Sequence, residues 1–327
     1  MSMDVVIIGA GMAGLAAGRM LGEKGCRVVL LDKGRGVGGR VATRRLDRGG
    51  ETQGRWDHGA QSMVLRSGSL KQQLAQWGAM SALETWCITR EGLVRWRSRT
   101  GINAFAKALA AGLSVRNSER VVHLGREQGR WRVGCESGAT FEGDCVLCTL
   151  PAPQLQVLLE ASALQALPGL AALRTITYAS NLTLLAEMDG PSGLVAPGIQ
   201  YPASDVLERV VDNAIKGISG CHTVTAQAQP GFSEAWYDGD RAAAGALLVE
   251  ALEAHVGSKV VASTVHGWKF AEATQRWSEP FLELGEGLFA AGDGYLAGDG
   301  DVSPAMRPRV ESALLSGMAA AAVIAGV

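Results

Sequence analysis

The sequence predicts an α/β fold with a parallel sheet, and three observations near its start carry that prediction. An apolar run, Val5-Val6-Ile7-Ile8, reads as a buried strand. A glycine-rich turn follows, Gly9-Ala10-Gly11-Met12-Ala13-Gly14, and Leu15 to Leu21 reads as a helix closed by Gly25. A second apolar run, Val28-Val29-Leu30-Leu31, ends on Asp32. Strand, glycine turn, helix, strand and acid in that order is a Rossmann-type unit that binds a dinucleotide. Gly9 allows the tight turn, Gly11 lets a pyrophosphate approach the backbone, and Gly14 lets helix and strand pack closely. Met12 and Ala13 open the helix, whose N-terminus offers free N–H groups and a partial positive charge to phosphate. Asp32 lies 18 residues beyond Gly14, a spacing suited to accepting from ribose hydroxyls. Its charge argues against a 2′-phosphate on the ligand, because like charges would meet.

Composition bounds the rest. The chain has 327 residues, 47% hydrophobic and 19% charged, so it can bury a large core and hold two domains. A net charge of −1 supplies no global field for nucleic acid or an anionic membrane, and neither is expected as a partner. The basic cluster Arg95-Trp96-Arg97-Ser98-Arg99 reads as a solvated edge. The N-terminus lacks the basic region of a signal peptide, and no run of about 18 apolar residues predicts a membrane span. The six cysteines are scattered, which suits a reducing cytoplasm. Cys145-Val-Leu-Cys148 matches CxxC, but residues three apart on a strand point to opposite faces, so no metal site is expected there or elsewhere.

Beyond Asp32 the loop Lys33-Gly34-Arg35-Gly36-Val37-Gly38-Gly39-Arg40 is basic and glycine-rich. With its acid, short spacer and Gly-Gly-Arg, the sequence resembles the flavin-dependent amine oxidase superfamily. That resemblance implies an FAD-binding domain of the amine oxidase and p-hydroxybenzoate hydroxylase type, with a second, mixed α+β substrate domain. It places Lys33, Gly39 and Arg40 near the pyrophosphate. Trp56-Asp57-His58-Gly59-Ala60-Gln61 resembles the D-x-G-A segment that passes close to the isoalloxazine. Trp56, Asp57, His58, Gly59 and Ala60 are therefore expected at the cofactor, and Gln61 at the substrate. His58 reads more readily as a loop histidine bonded to backbone than as a general base.

The remaining elements follow in order. Residues Ser67 to Arg99 read as a helix and then strands leading away from the first domain. Ile102, Phe105, Ala106 and Leu109 fall at i, i+3, i+4 and i+7, which predicts a helix over Gly101 to Leu109. Arg120 to Leu124, Trp131 to Cys135 and Asp144 to Leu150 read as a three-stranded meander. By resemblance, Val121 pairs its backbone with the adenine. Leu150-Pro151-Ala152-Pro153 ends the meander and crosses to the other domain. There Ile176 to Met188, Arg209 to Asn213, Cys221 to Ala228 and Val260 to Phe270 read as strands. Asp238 to His255 reads as a helix with Leu247, Leu248, Ala251, Leu252 and His255 on one apolar face. These assignments make residues 1–66, 100–153 and 284–327 a discontinuous FAD-binding domain, and 67–99 and 154–283 the substrate domain.

Near the end, Gly292-Asp293 resembles the superfamily's A-G-D acid, which bonds the ribityl or phosphate region. Arg309-Val310 resembles the start of the closing helix, which is aimed at flavin N1 and O2. Asp32 in place of Glu, Ser312 in place of glycine and the Arg307-Pro308-Arg309 approach depart from the pattern. No cysteine follows Cys221, so the FAD is expected to be noncovalent.

Within the superfamily, the compact length and three tracts resemble the renalases of bacterial type. The tracts are Asp57 to Gln61, the segment ending Asp212-Asn213, and His266-Gly267-Trp268-Lys269. The resemblance implies oxidation of 2- and 6-dihydro isomers of NAD(P)H. Hydride passes to flavin N5, NAD(P)+ leaves, and dioxygen gives hydrogen peroxide. Such a substrate needs no base, because hydride loss yields an aromatic cation directly. Gln61, Tyr178, Asn213, His266, Trp268 and Lys269 are the candidate substrate contacts, and no side chain is expected to be indispensable as acid or base. The alternatives are an amine oxidase, for which four tyrosines supply a cage poorly, a desaturase, or a non-enzymatic binding protein on the same fold.

Overall fold

The computed structural model describes residues 2–297 and 310–326. β1 (Asp4–Ile8), α1 (Met12–Glu23) and β2 (Arg27–Asp32) form the expected unit, with β1 and β2 parallel. A hairpin follows, β3 (Thr43–Arg48) and β4 (Glu51–Asp57). Next come β5 (Met63–Val64), α2 (Gly68–Gln76), a short turn of 3₁₀ helix, β6 (Glu84–Ile88) and β7 (Val94–Arg97). The last two strands and β5 make a small separate sheet. In α3 (Asn103–Ala110), the predicted stripe Ile102, Phe105, Ala106 and Leu109 is fully buried. β8 (Val115–Asn117) then joins the edge of the parallel sheet beside β2.

The meander is β9 (Val121–Glu127), β10 (Arg130–Cys135) and β11 (Thr140–Gly143), so its third strand ends before the predicted one begins. The stretch assigned to that third strand instead contains β12 (Cys145–Cys148), which pairs parallel with β1 in the main sheet. A short run buried on both faces is the signature of a central parallel strand. Cys145 packs on one side of this sheet and Cys148 on the other, as the pleat requires.

α4 (Ala152–Ala161) and α5 (Leu170–Leu173) do not cross to the second domain as expected. Leu155, Leu158, Leu159, Leu170 and Leu173 share a core with β1, β12 and the meander. The crossing comes later, at β13 (Thr177–Met188). That strand, β14 (Ile199–Gln200), β15 (Leu207–Asp212), β16 (Thr223–Ala228) and β17 (Val260–Gln275) form the second sheet, in the order β14-β15-β16-β13-β17. Between β16 and β17 lie α6 (Pro230–Trp236) and α7 (Arg241–Val256). Asp240 caps α7 by accepting from the Ala242 and Ala243 amides. Its buried stripe is Ala244, Leu248, Leu252 and Val256, while Leu247 is exposed, so the packed face is rotated from the predicted one.

The chain returns through β18 (Leu282–Gly285) and β19 (Leu288–Ala290) and closes with α8 (Val310–Ile324). The main sheet then reads β18-β19-β12-β1-β2-β8, parallel except for β18. α1, α3 and α8 cover one face; α4, α5 and the meander cover the other. α7 backs one face of the second sheet, and its other face looks toward the 57–61 loop. Among the described residues no helix is long and apolar enough to cross a membrane.

Candidate functional site

The glycine turn is built around Thr149, which follows β12. Gly9 has φ +108°, and a Cβ on Gly14 would lie 2.0 Å from the Gly9 carbonyl oxygen and 2.9 Å from Thr149 Oγ1. Only glycine fits that contact between helix and turn. A Cβ on Gly11 would meet nothing within 4 Å, so the α1 N-terminus opens onto free space beside bare backbone. A pyrophosphate needs that arrangement. Asp32 closes the turn from below, accepting from the Ala10 and Gly34 amides at 2.7 Å each. Glu119 N donates to the Asp32 carbonyl, which brings the start of β9 and Val121 beside the acid. Lys33 and Gly39 are exposed on the same rim. A parallel bridge joins Gly38 to Gly11.

Arg40 reaches across to Asp293 in a bidentate pair, 2.6 Å on both arms. It also donates to the Phe270 and Ala271 carbonyls. The Tyr178 hydroxyl donates to Asp293 Oδ1 at 3.1 Å, and the ring lies 5.7 Å from the Arg40 guanidinium. Burial and then Asp293 push the Tyr178 phenol well above its ordinary pKa, so it stays a donor. Burial works against the Arg40 charge, but Asp293 more than offsets it and the pKa rises. Tyr178, expected at the substrate, thus bonds Asp293, the acid expected at the cofactor. Asp293 presents a carboxylate backed by two partners, with Gly292 N donating to Ser316 Oγ on α8. Val310, in the first turn of α8, is half-buried against the first core. Arg309 lies outside the described residues.

The 56–61 segment departs most from expectation. The Trp56 indole is buried and donates to the Ala186 carbonyl on β13. Asp57 is fully buried and accepts from Thr43 Oγ1, the Ile102 amide and the Lys216 ammonium. Both side chains are spent on the joint between the domains and do not face a cofactor. A Cβ on Gly59 would lie 1.8 Å from the Arg40 carbonyl oxygen, so this glycine serves a contact inside the protein. Ala60 N donates to the same carbonyl. Gln61 is buried and donates to the Asp57 carbonyl. Asn213 is fully buried and bonds Thr223 and Thr225, and Thr225 in turn donates to the Asp57 carbonyl. Asn213 thus supports the loop from behind and lines no opening. Lys216, also fully buried, donates to the Gln61 carbonyl and sits 5.1 Å from the Trp86 ring centroid. Burial lowers its pKa, opposed by Asp57. The sequence reading missed Lys216, a lone lysine in the unpatterned run Ala214 to Ile218.

Among the described residues the His58 ring bonds no backbone group. The imidazole stacks on Trp268 at 5.3 Å and 17°, and His266 meets both rings edge-on at 4.7 and 4.4 Å. Trp268 Nε1 donates to the His58 carbonyl, fixing the loop to β17. Burial first, then His266 and Arg44, lower the His58 pKa to about 4. Burial, Arg44 and Arg241 lower that of His266. Both imidazoles are neutral at pH 7. His266 and Trp268 share one face of β17 because they are two residues apart, and Lys269 is exposed on the other face, away from the wall. Gln227 on β16 donates to the Gly59 carbonyl beside them, a further residue without a sequence signal. The Arg40–Asp293–Tyr178 cluster and the ring wall are joined through β17, where Arg40 bonds the Phe270 and Ala271 carbonyls and Trp268 bonds that of His58. Among the described residues no cluster of three metal-ligating side chains occurs.

Comparison with known proteins agrees with this geometry. Residues 7–77 match the family model of the NAD(P)-binding Rossmann-like domain, and residues 79–212 match that of the flavin containing amine oxidoreductases. An L-amino acid oxidase of Cerastes cerastes is 52% identical over 46 residues, which span 14% of this chain and 9% of that protein. A protein assigned as a protoporphyrinogen oxidase from Exiguobacterium sp. 255-15 has the same fold over 100% of both chains, with a TM-score of 0.73 at 16% identity. A fatty acid isomerase from P. acnes matches over 97% of both chains, with a TM-score of 0.68 at 11% identity. A putrescine oxidase variant matches over 100% of both chains, with a TM-score of 0.62 at 13% identity. The adjoining family matches make residues 7–212 similar to a Rossmann-like nucleotide-binding domain followed by a flavin containing amine oxidoreductase, and with the glycine cradle they imply FAD as the cofactor.

Proposed function

We propose that this protein is a renalase-like oxidase that takes hydride from isomeric dihydronicotinamides, the 2- and 6-dihydro forms of NAD(P). The observation that carries the reading is the wall of His58, His266 and Trp268. It offers a planar substrate ring a flat surface without a charged group in the stack. Among the described residues neither imidazole bonds a carboxylate, so no acid–base pair is assembled there. An isomeric dihydronicotinamide needs none, because loss of hydride leaves an aromatic cation. Bound FAD would supply the two-electron chemistry, accepting hydride and passing electrons to dioxygen with release of hydrogen peroxide. The residues that would hold it are Gly11, Asp32, Arg40, Asp293 and the first turn of α8. The protein's task is then to stack, orient and exclude water, and such positioning alone is worth about 7–11 kcal/mol of a barrier.

An amine substrate fits this wall less well. Tyr178 is tied to Asp293, Tyr201 is exposed, Tyr237 lies under Arg241 and Tyr295 is buried in a core, so no tyrosine cage forms. The six free cysteines suit a cytoplasmic setting, where we place the activity. The test is anaerobic mixing of the FAD-loaded protein with 2-dihydroNAD, 6-dihydroNAD, ordinary NADH and a panel of amines. Rapid bleaching of the flavin band by a dihydro isomer, with NAD+ formed, is the expected result. Bleaching by an amine alone would overturn the reading.

A further inference from the structure

Arg44 is an exposed guanidinium beside the ring wall that, among the described residues, has no ion-pair or hydrogen-bond partner. Its neighbours are committed: Arg48 pairs with Glu187 at 2.8 Å, Arg55 donates to the Ile218 carbonyl, and Arg40 holds Asp293. Arg241 donates to the Tyr237 carbonyl and lies over that ring.

The hairpin geometry says where Arg44 stands. Thr43 turns its hydroxyl to Asp57, so the pleat sends Arg44 to the opposite face, which it shares with its cross-strand partner Trp56. That face lies against the second sheet, because Trp56 bonds the Ala186 carbonyl on β13. Farther along, Arg48 meets Glu187 on the same strand. The His58 amide donates to the Ala42 carbonyl, two residues before Arg44. The charge of Arg44 is felt by both imidazoles.

We propose that Arg44 is the anion anchor beside the ring wall and holds the diphosphate of a dinucleotide substrate whose dihydronicotinamide ring lies on the wall. The proposal rests on the dihydronicotinamide reading above. A guanidinium presents a planar fork that matches two phosphate oxygens, and a free one beside a neutral aromatic wall selects ligands that carry a ring and an anion together. The wall reads the ring, and Arg44 distinguishes a dinucleotide from a phosphate-free riboside.

The experiment measures kcat/KM for 6-dihydroNAD and for 6-dihydronicotinamide riboside in the FAD-loaded wild type and in Arg44→Ala, Arg44→Lys and Arg45→Ala. Arg45 points to the other face of β3 and serves as the control. The wild type is expected to prefer the dinucleotide. Arg44→Ala should lose about tenfold or more on it, mainly through KM, and most of the preference with it. Arg44→Lys should recover part, and Arg45→Ala should keep the preference. An Arg44→Ala enzyme with the wild-type preference would overturn the proposal. Should the wild type oxidise neither compound, the reading of the reaction fails, and ADP-ribose binding measured by calorimetry decides on Arg44. Binding weakened about tenfold in Arg44→Ala supports the anchor, and equal or absent binding in both overturns it.

Discussion

Lys216→Met removes a buried ammonium and leaves its carboxylate behind. Asp57 keeps the Thr43 hydroxyl and the Ile102 amide on Oδ1, but Oδ2 loses its cation and the Gln61 carbonyl loses its donor. Both residues are fully buried, so water cannot replace the ammonium without opening the joint between the domains. Breaking a buried pair from one side costs about 3–5 kcal/mol. At roughly 1.5 °C per kcal/mol for a chain of 327 residues, the melting temperature should fall by about 4–7 °C. Thermal unfolding of the FAD-loaded protein, followed by circular dichroism and by release of flavin fluorescence, measures it. The double variant Asp57→Asn with Lys216→Met removes both charges and should recover at least about half the loss. A single variant that loses under about 1 kcal/mol, or a double variant no better than the sum of its parts, would refute the argument.

Three further outcomes are expected. Gly14→Ala forces a Cβ to within 2.0 Å of the Gly9 carbonyl, so FAD affinity should fall by about a hundredfold or more in a fluorescence titration. Tyr178→Phe removes the donor to Asp293 and should weaken FAD binding by roughly fivefold, the worth of about 1 kcal/mol, while leaving the fold intact by circular dichroism. His58 is neutral in the folded protein down to about pH 4, whereas the unfolded chain takes up the proton near its ordinary value of 6.5. The unfolded state therefore binds more protons in this window. Stability is fully present above about pH 6.5 and falls as pH drops toward 4, by at most about 3 kcal/mol from this group. His266 acts in the same direction. Urea unfolding between pH 7 and 4 follows the effect, which His58→Asn should flatten.

Much of the fold was legible because it is written in local patterns. The first βαβ unit, the α3 stripe and the first two meander strands all appear where periodicity and turn residues put them. The errors share a cause. The strand at Cys145 to Cys148 was assigned to its sequence neighbours in the meander, yet its partners are β1 and β19. α4 and α5 were assigned to the domain that follows them, yet their leucines fit the sheet that precedes them. A helix's apolar stripe tells that it packs, not on what.

The candidate site divides the same way. Gly9, Gly11, Gly14 and Asp32 were readable because close backbone approach and ribose binding demand particular residue types at particular spacings, whereas Arg40 and Asp293 came from the family resemblance. Lys269 was not excluded in advance, because a strand's register, and so the face of each residue, is settled by its neighbours.

The sequence by itself determined the nucleotide cradle, since a glycine turn between a strand and a helix N-terminus is a local object with few physical solutions. Only the tertiary structure decided what faces what. Arg40 meets Asp293 across 253 residues, and Trp268 meets His58 across 210. Asp57 turns inward to Lys216 rather than outward to a cofactor. Such pairings depend on how two sheets dock, and docking is governed by the summed burial of whole faces rather than by any short run of residues.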